Sequence, residues 1–269
     1  MIEPAAGAPM IQAESLRGYR GMRHGFFSRL GGTSSGGYAS LNCSFASGDR
    51  AETVTENRGR IAHQLGIASP HLVTAKQVHG ISVVEVEAPW PAGTQPPECD
   101  ALVTRVPGLA VAVLTADCAP ILIADLAAGV VAAAHAGWRG ALSGVVEETV
   151  AAMERLRARA DRMTAVVGPS ISQPSYEVGP EFHAEFMATD SGSASFFTVS
   201  PKDDGKFQFD LPEYVGARLI RAGLRRIEVL ELDTLTNAGR FFSHRRSTLM
   251  GEKDVGRQMS AILLVDDRA

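Results

Sequence analysis

Three side chains that can bind a soft metal lie in three separate stretches of this 269-residue chain. His79 ends the stretch Lys-Gln-Val-His, Cys118 follows Ala-Asp, and His135 opens the stretch His-Ala-Gly-Trp-Arg-Gly. Each lies within or just after an apolar segment typical of a β-strand, so folding can bring them together. Two imidazoles and one thiolate leave a fourth tetrahedral position open, which distinguishes catalytic from structural zinc. The sequence therefore predicts a catalytic metal centre on His79, Cys118 and His135.

Cys118 also admits a second interpretation. A thiolate beside an imidazole is a nucleophile with its base, so a metal-free Cys–His hydrolase fits the same residues. We favour the metal because two His and one Cys form a complete zinc set, whereas a hydrolase needs only one His. A non-enzymatic module with structural zinc needs a fourth protein ligand, and Cys43 and Cys99 lie in dissimilar contexts.

Asp117 directly precedes Cys118, and a carboxylate beside a ligand is a natural partner for the second ring nitrogen of an imidazole. The alternative for Asp117 is a cap on a turn or helix. We therefore take Asp117, Cys118 and His135 as the candidate catalytic residues.

The bulk composition limits the partners of the protein. Its net charge of −4 argues against nucleic acid or an anionic membrane as the main partner. No apolar stretch approaches the roughly 20 residues that span a bilayer, and the N-terminal residues lack the pattern of a secretory signal. Three cysteines are too few for a disulfide framework, so we expect a cytoplasmic protein with reduced thiols.

Strand-like and helix-like segments alternate along the chain, which predicts an α/β or α+β fold. Apolar runs predict strands at 72–78, 109–115, 121–125 and 130–134. Apolar residues spaced i, i+3, i+4 predict helices over 51–65 and 141–157. Residues 1–12 are expected to be frayed, and the Gly/Ser-rich segment 31–37 is expected to be either a lid or a disordered surface loop.

Together these motifs resemble a family described as multicopper polyphenol oxidoreductase, or laccase. The similarity extends over nearly the whole chain. Its two most specific elements are Ala116-Asp117-Cys118 and the stretch from His135 to Gly140. Further matching elements are Phe27-Ser28-Arg29, Asn57-Arg58, Lys76-Gln77-Val78-His79, Asp100-Ala101, Gly168-Pro169, Tyr176-Glu177-Val178 and Phe241-Phe242-Ser243.

Members of this family are understood as zinc-dependent purine nucleoside phosphorylases that also deaminate adenosine. The resemblance implies that His79, Cys118 and His135 bind zinc. It implies purine nucleosides (adenosine, inosine, guanosine and methylthioadenosine) and phosphate as substrates. It also implies a single catalytic domain, 1–269, built as one layered sandwich of mixed β-sheets flanked by helices. Two positions depart from the family pattern, since Asp233 often is Cys and His244 usually is Tyr.

The laccase name conflicts with the histidine content. A blue-copper site takes two His and one Cys, and the laccase name implies about eight further imidazoles beyond that set. This chain has seven His in total. Cu²⁺ can still replace Zn²⁺ on nitrogen and sulfur ligands, so a copper-dependent polyphenol oxidase remains the alternative function.

The two implied reactions need further groups. Phosphate binding requires cationic and polar side chains, and Arg suits it because its planar guanidinium donates in pairs. The candidates are Asn42, Arg58, Lys76, Gln77, Arg139 and Arg245, with Arg246 as a further cation. Deamination uses water activated by zinc together with an acid/base group. Asp117 is the first candidate for that group and Glu177 the weaker one.

Overall fold

The computed structural model describes residues 8–202 and 204–265. Its strands, in chain order, are β1 Met10–Ile11, β2 Met22–Phe27, β3 Leu72–Val73, β4 Val83–Glu85, β5 Ala101–Thr104, β6 Ala110–Thr115, β7 Ala119–Asp125, β8 Val130–Ala136, β9 Thr164–Val167, β10 Glu177–Val178, β11 Phe197–Val199, β12 Phe207–Phe209, β13 Arg226–Val229 and β14 Gln258–Leu264. Its α-helices are α1 Ala51–Leu65, α2 Trp138–Ser143, α3 Val145–Arg155, α4 Pro180–Thr189, α5 Leu211–Arg221 and α6 His244–Leu249. None of the helices in this part of the chain has the length and apolar character needed to cross a lipid bilayer.

Two large mixed sheets form the centre of the fold. The five-stranded sheet has the order β1-β2-β14-β6-β3, antiparallel except for the β3–β6 pair. The six-stranded sheet has the order β13-β9-β7-β8-β5-β4 and is parallel only at its two outer pairs. A small antiparallel sheet, β10-β12-β11, completes the set. The expected α+β sandwich of mixed sheets flanked by helices is confirmed.

Apolar side chains fill the space between the large sheets. Phe26, Val113 and Ile262 of the five-stranded sheet are buried in one cluster with Leu122 and Val131 of the six-stranded sheet. Full burial of one such side chain stabilises the fold by roughly 1.5–3 kcal/mol. This layer makes the strand ends on either side a rigid base for functional groups.

Helices cover the outer faces of both sheets. Val54, Ile61 and Leu65 form the buried stripe of α1, which ends at Gly66 in a left-handed conformation. On the other side, α3 and α5 bury Val146, Val150 and Tyr214 against the six-stranded sheet, where they form part of one continuous apolar core. The helix predicted over 51–65 is therefore confirmed at both of its ends.

The prediction of a single helix over 141–157 is wrong. The structure has two helices, α2 and α3, separated by Gly144 with φ of 110°. A side chain rarely adopts this conformation, whereas glycine does so without steric cost. The apolar spacing continues across the break, so the periodicity alone did not reveal it.

Two expectations about irregular segments also need correction. Met10 and Ile11 pair with β2 instead of fraying, while residues 1–7 of the expected frayed end lie outside the described part of the chain. The segment 31–37 is not a disordered loop, because Gly32 and Thr33 donate to Ser40 and Asn57, and Ser34 binds Asp49. These hydrogen bonds give the segment a defined conformation, and none of its residues lines the cavity described below.

Candidate metal centre

His79 lies in a turn after β3 with a left-handed backbone, φ of 60°. This conformation is uncommon for a residue other than glycine and needs support from its surroundings. The support comes from Asp100, whose carboxylate accepts the backbone N–H groups of Val78, His79 and Gly80 at 3.2, 3.0 and 2.7 Å. Of the predicted strand 72–78, Leu72–Val73 form β3, Lys76 makes an isolated parallel bridge with Glu98, and the turn replaces the end.

Cys118 lies in the short connection between β6 and β7. The preceding residue, Asp117, also has a left-handed backbone, φ of 83°. This turn reverses the chain and places the thiol next to the end of β8, because β7 and β8 pair in the register Pro120 to His135.

His135 is the penultimate residue of β8 and is buried, with 3% of its surface exposed. Its Nδ1 lies 2.8 Å from Oδ1 of Asp100, and its backbone N–H donates to the carbonyl oxygen of Asp100 at 2.7 Å. With Nδ1 held in this way, Nε2 is the ring nitrogen available as a ligand.

These three side chains form one group. Nitrogen atoms of His79 and His135 and the sulfur of Cys118 all lie within 4.8 Å of one another. Sγ of Cys118 is 3.9 Å from Nε2 of His79, and the two imidazole rings meet edge to face at 4.8 Å. Within residues 8–202 and 204–265 this is the group of three potential ligands that could hold a metal ion. The convergence expected from sequence is thus present.

Gly137 allows the close approach of these groups. A Cβ atom at this position would lie 2.7 Å from Cδ2 of His79 and 3.2 Å from Sγ of Cys118. Both separations are shorter than ordinary van der Waals contact. Its φ and ψ of −71° and 162° are open to any residue, so the requirement for glycine is steric.

Charges within the group favour a thiolate. Burial raises the pKa of the Cys118 thiol, but the positive charge and hydrogen bond of His135 and those of His79 outweigh it and bring the pKa to about 6. Burial lowers the pKa of His135, but Cys118 and Asp100 outweigh it and raise the pKa to about 9. Thiolate is the form of Cys that binds metals and attacks carbonyl groups.

Asp117 does not have the role expected from its position beside Cys118. Its carboxylate accepts from Oγ1 of Thr234 at 2.6 Å, from Oγ of Ser243 at 3.0 Å and from the N–H of Arg245 at 2.6 Å. The carboxylate therefore holds the start of α6, and the imidazole partner is Asp100 instead. The expectation that Asp117 orients a ligand is corrected, although its turn still positions Cys118.

His79, Cys118 and His135, called the metal-binding group below because they could hold a metal ion, line a cavity of about 590 Å³. Its walls come from the loop after β2, the segment 74–77, the β6–β7 connection, α6 and the segment that precedes β14. Among the described residues no Asp or Glu lines it, whereas Arg58, Lys76 and Arg257 do. The exposed ring of Phe45 and the side chain of His244 complete the wall. The cavity is therefore cationic and can attract an anion.

Arg58 is the most enclosed of these cations. It donates to the carbonyl oxygens of Cys43 and Leu72, each at 3.3 Å, and to Oγ1 of Thr74 at 3.0 Å. A guanidinium has five N–H donors, so at least two remain for a ligand. Burial lowers the pKa of Arg58. Within the described residues neither Arg58 nor Arg257 has a carboxylate at ion-pair distance.

Three other predicted phosphate ligands have polar groups already engaged. The ammonium group of Lys76 pairs with Glu98 at 2.8 Å on the exposed rim. Gln77 forms two hydrogen bonds of 2.8 Å with the backbone of Leu114, in place of continued strand pairing. Asn42 lies off the cavity, and its side-chain oxygen accepts the backbone N–H of Arg257 at 3.0 Å. Asn42 therefore acts on the cavity indirectly, by holding Arg257 and Ser44 of its wall.

The remaining candidates lie away from the cavity wall. Arg139 is exposed, with its guanidinium 4.3 Å from the Trp138 ring, and Arg245 stacks over Tyr176 at 5.4 Å. Arg246 donates to backbone carbonyl oxygens of residues 234, 235 and 241 and is structural. Glu177 binds two lysines and a serine, which lower its pKa to about 2, so it remains ionised at neutral pH.

Comparison with known proteins now identifies the family. A sequence model described as multi-copper polyphenol oxidoreductase laccase matches residues 23–265. The chain belongs to this family. The expected family membership is therefore confirmed.

Relatives in this laccase-type family have names that indicate other chemistry. The chain is 39% identical over 244 residues to a Deinococcus radiodurans protein named purine nucleoside phosphorylase, covering 90% of this chain and 89% of that protein. It is 42% identical over 226 residues to a Streptomyces griseus protein named purine nucleoside phosphorylase ORF3, covering 84% and 89%.

Solved structures share the fold over almost the full chain. YlmD from Geobacillus stearothermophilus superposes with a TM-score of 0.85 and 28% identity, covering 98% of each chain. A Neisseria meningitidis protein superposes with a TM-score of 0.83 and 33% identity, covering 97% of this chain and 100% of that one.

Sequence reasoning missed Arg257 and did not give Asp100 a role. Asp100 directly precedes strand β5, which pairs with β8 in the register Ala101 to Ala134. A carboxylate at the start of one apolar strand is a usable signal only when the pairing partner is known. Arg257 lies far along the chain, in a segment without a motif, so no signal in the sequence marks it.

Proposed function

We propose that this protein is a zinc-dependent purine nucleoside phosphorylase with adenosine deaminase as a side activity. The observation that carries the proposal is the presence, in one cavity, of the metal-binding group and the guanidinium groups of Arg58 and Arg257, which no carboxylate of the described residues pairs with. A phosphorolytic enzyme needs a phosphate subsite next to the substrate, whereas a hydrolase needs none. The names of the Deinococcus and Streptomyces relatives support the same activity.

Zinc fits the donor set. Tetrahedral zinc, with bonds of about 2.3 Å to sulfur and about 2.0 Å to nitrogen, separates these ligand atoms by about 3.6 Å. The sulfur of Cys118 and Nε2 of His79 lie 3.9 Å apart, close to this value. Copper accepts the same ligand types, so the ligands alone do not select zinc. We propose zinc because the proposed reactions, phosphorolysis and deamination, involve no oxidation or reduction. When bound, zinc would supply a Lewis acid.

Phosphorolysis defines what the protein side chains must do. A phosphate oxygen forms a bond to C1′ of the ribose while the bond from C1′ to the purine nitrogen breaks. The bonding pair leaves with the base, which takes up a proton, and ribose 1-phosphate is released. By analogy with glycoside cleavage the transition state resembles an oxocarbenium ion, so an anion held beside C1′ stabilises it.

Arg58 and Arg257 are assigned to bind and orient that phosphate. Arg58 is fixed by its three hydrogen bonds, and Arg257 by one to Oγ of Ser44 at 3.1 Å, so little side-chain freedom is lost when an anion binds. The ring of Phe45, 57% exposed on the same wall, offers an apolar face for the base. Adenosine, inosine, guanosine and methylthioadenosine are the proposed nucleosides.

Deamination needs a group that takes a proton from water and gives one to the nitrogen leaving C6 of adenine. Asp117 is enclosed by its partners and Glu177 lies outside the cavity lining, so neither fits this role. Outside the metal-binding group, His244 and Lys76 are the titratable side chains other than arginine on the described cavity wall. We propose His244 as the proton-transfer residue, because Lys76 is paired with Glu98.

Product analysis tests the proposal. Purified protein is incubated with adenosine and phosphate, with and without a chelator, and ribose 1-phosphate and inosine are quantified. We expect both products, and loss of both after chelation. The variants Cys118→Ala and His135→Ala should each abolish turnover while retaining the wild-type circular dichroism spectrum. His183→Ala, which alters a ring stacked on Phe207 away from the cavity, is the matched control. Wild-type turnover by either ligand variant would refute the assignment.

The same material separates the two alternative functions. Stoichiometric copper in protein purified without added copper, together with phenol oxidation and no nucleoside turnover, would support a polyphenol oxidase. Acyl-transfer turnover by metal-free protein, blocked by alkylation of Cys118, would support a Cys–His hydrolase.

A further inference from the structure

One buried carboxylate contacts both histidines of the metal-binding group. Asp100 is 1% exposed. Its Oδ1 accepts from Nδ1 of His135 and from the backbone N–H of His79, while its Oδ2 accepts the N–H groups on either side of His79. Its carbonyl oxygen also accepts the backbone N–H of His135.

We propose that Asp100 is the positioning residue for both imidazole ligands, and that it sets the geometry and affinity of the metal centre without touching the ion. It fixes the ring of His135 in the tautomer with the proton on Nδ1, which leaves the Nε2 lone pair for the metal. Through three backbone N–H groups it also holds the left-handed turn that presents His79. The proposal rests on the metal centre assigned above.

The two histidines would otherwise be independent of each other. His135 lies in the pairing register of a rigid strand, whereas His79 lies in an exposed turn whose backbone is unfavourable for a residue with a side chain. Metal-binding imidazoles usually donate their second N–H to a carboxylate, which orients the ring. Here the same carboxylate also stabilises the strained turn, so the placement of both ligands depends on it.

The variant Asp100→Asn keeps the shape of the side chain and exposes this dual role. An amide presents one acceptor oxygen and one NH₂ group. If the oxygen faces His135, the NH₂ group opposes the N–H groups of Val78 and Gly80. If the NH₂ group faces His135, Nδ1 must accept, and the ring proton moves to Nε2, where it blocks metal binding. Either orientation weakens one histidine ligand.

Metal affinity and spectroscopy test the proposal on the full chain. Zn²⁺ dissociation constants are measured by chelator competition, and Co²⁺ is bound in parallel to record the thiolate charge-transfer and d–d absorption bands. We expect Asp100→Asn to weaken Zn²⁺ binding about 10- to 100-fold and to alter the Co²⁺ bands.

The matched control is Asp125→Asn at the opposite end of β7. Asp125 is equally buried and also accepts backbone N–H groups, those of Ala128 and Arg159, in addition to the side chain of Arg162. It should lose stability without any change in Zn²⁺ affinity. Zn²⁺ affinity of Asp100→Asn within threefold of wild type, or an equal loss in Asp125→Asn, would overturn the proposal.

A measurement on the wild type covers the case in which Asp100→Asn does not fold. Nuclear magnetic resonance of the ¹⁵N-labelled zinc protein should show His135 protonated on Nδ1 and coordinated through Nε2. Coordination through Nδ1 would overturn the positioning role. Both experiments measure metal binding and not turnover. If Zn²⁺ affinity depends on Asp100 but the protein does not catalyse phosphorolysis, the proposed function is refuted and the positioning role of Asp100 is not.

Discussion

At the residue scale, the carboxylates of Asp100, Asp117 and Glu177 have different roles because their neighbours differ. Asp100 contacts the His135 imidazole and accepts hydrogen bonds from the turn that carries His79. Asp117 accepts a hydrogen bond from the start of α6, and Glu177 forms ion pairs with two lysines. Adjacency in sequence pointed to Asp117, but its short side chain follows a left-handed backbone and turns away from the imidazoles. The same distinction separates Arg58 from Arg139, since only the former lies on the cavity wall.

We expect Arg58→Gln to raise the KM for phosphate about 10- to 100-fold, because a charge-assisted hydrogen bond contributes about 1.5–3 kcal/mol. Steady-state kinetics with inosine and phosphate varied in turn measures this effect. Adenosine deamination, which uses no phosphate, should change little. Arg139→Gln, exposed and off the cavity, is the matched control. Equal losses in phosphorolysis and deamination would mean that Arg58 supports the cavity in general and not phosphate.

At the element scale, the centre is assembled from two connections and the end of one strand. Three parts of the chain meet there: the turn carrying His79, the β6–β7 connection carrying Cys118, and the end of β8 carrying His135. The β7–β8 register brings two of them together, and the absent side chain at Gly137 lets the third approach. Packing between these elements is therefore part of the site.

The variant Gly137→Ala should reduce Zn²⁺ affinity about tenfold, because the added methyl group would displace the His79 ring. The backbone conformation at this position suits alanine, so unfolding temperature should change little. Isothermal titration with Zn²⁺ and thermal melts measure the two effects. Gly216→Ala, where a Cβ would meet Cγ2 of Val229 at an ordinary 3.5 Å, controls for the addition of a methyl group. Unchanged affinity in Gly137→Ala would mean that His79 adjusts freely.

At the scale of the whole molecule, the sandwich buries polar groups that link its stability to pH. His24 of β2 is 2% exposed, and its Nε2 accepts the backbone N–H of Ala13 at 2.9 Å. Burial lowers its pKa from 6.5 to about 4, with a smaller opposing effect of Glu228. The folded protein therefore keeps His24 neutral where the unfolded chain begins to protonate it.

This difference predicts a loss of stability in acid. Between pH 6.5 and about 4 the unfolded chain binds more protons than the folded one. The contribution of neutral His24 to the free energy of unfolding is therefore complete above pH 6.5 and falls as the pH decreases. The full effect is about 3 kcal/mol. Urea unfolding at pH 7.5 and pH 4.5 measures most of it, because pH 4.5 is still above the folded-state pKa of about 4. In His24→Gln the amide oxygen can still accept the N–H of Ala13, so the free energy of unfolding should depend less on pH. The same change in unfolding free energy with pH in both proteins would contradict the assignment.

Local patterns in the sequence predicted much of the secondary structure. The helix over 51–65 was recovered at both ends because a buried stripe and a terminal glycine mark it. The break at Gly144 and the early end of β3 were missed, because a continuous apolar pattern does not reveal a positive φ or a side chain that replaces strand pairing.

The sequence by itself determined which side chains could hold a metal ion, because His79, Cys118 and His135 have distinctive chemistry and lie at the ends of apolar runs. The tertiary structure decided which groups support them. Strand register places Asp100, the cavity wall encloses Arg257, and the missing Cβ of Gly137 leaves room for the ligands. Each of these properties depends on segments far apart in the chain. Such properties belong to pairs of elements, so a reading of one segment at a time could not supply them.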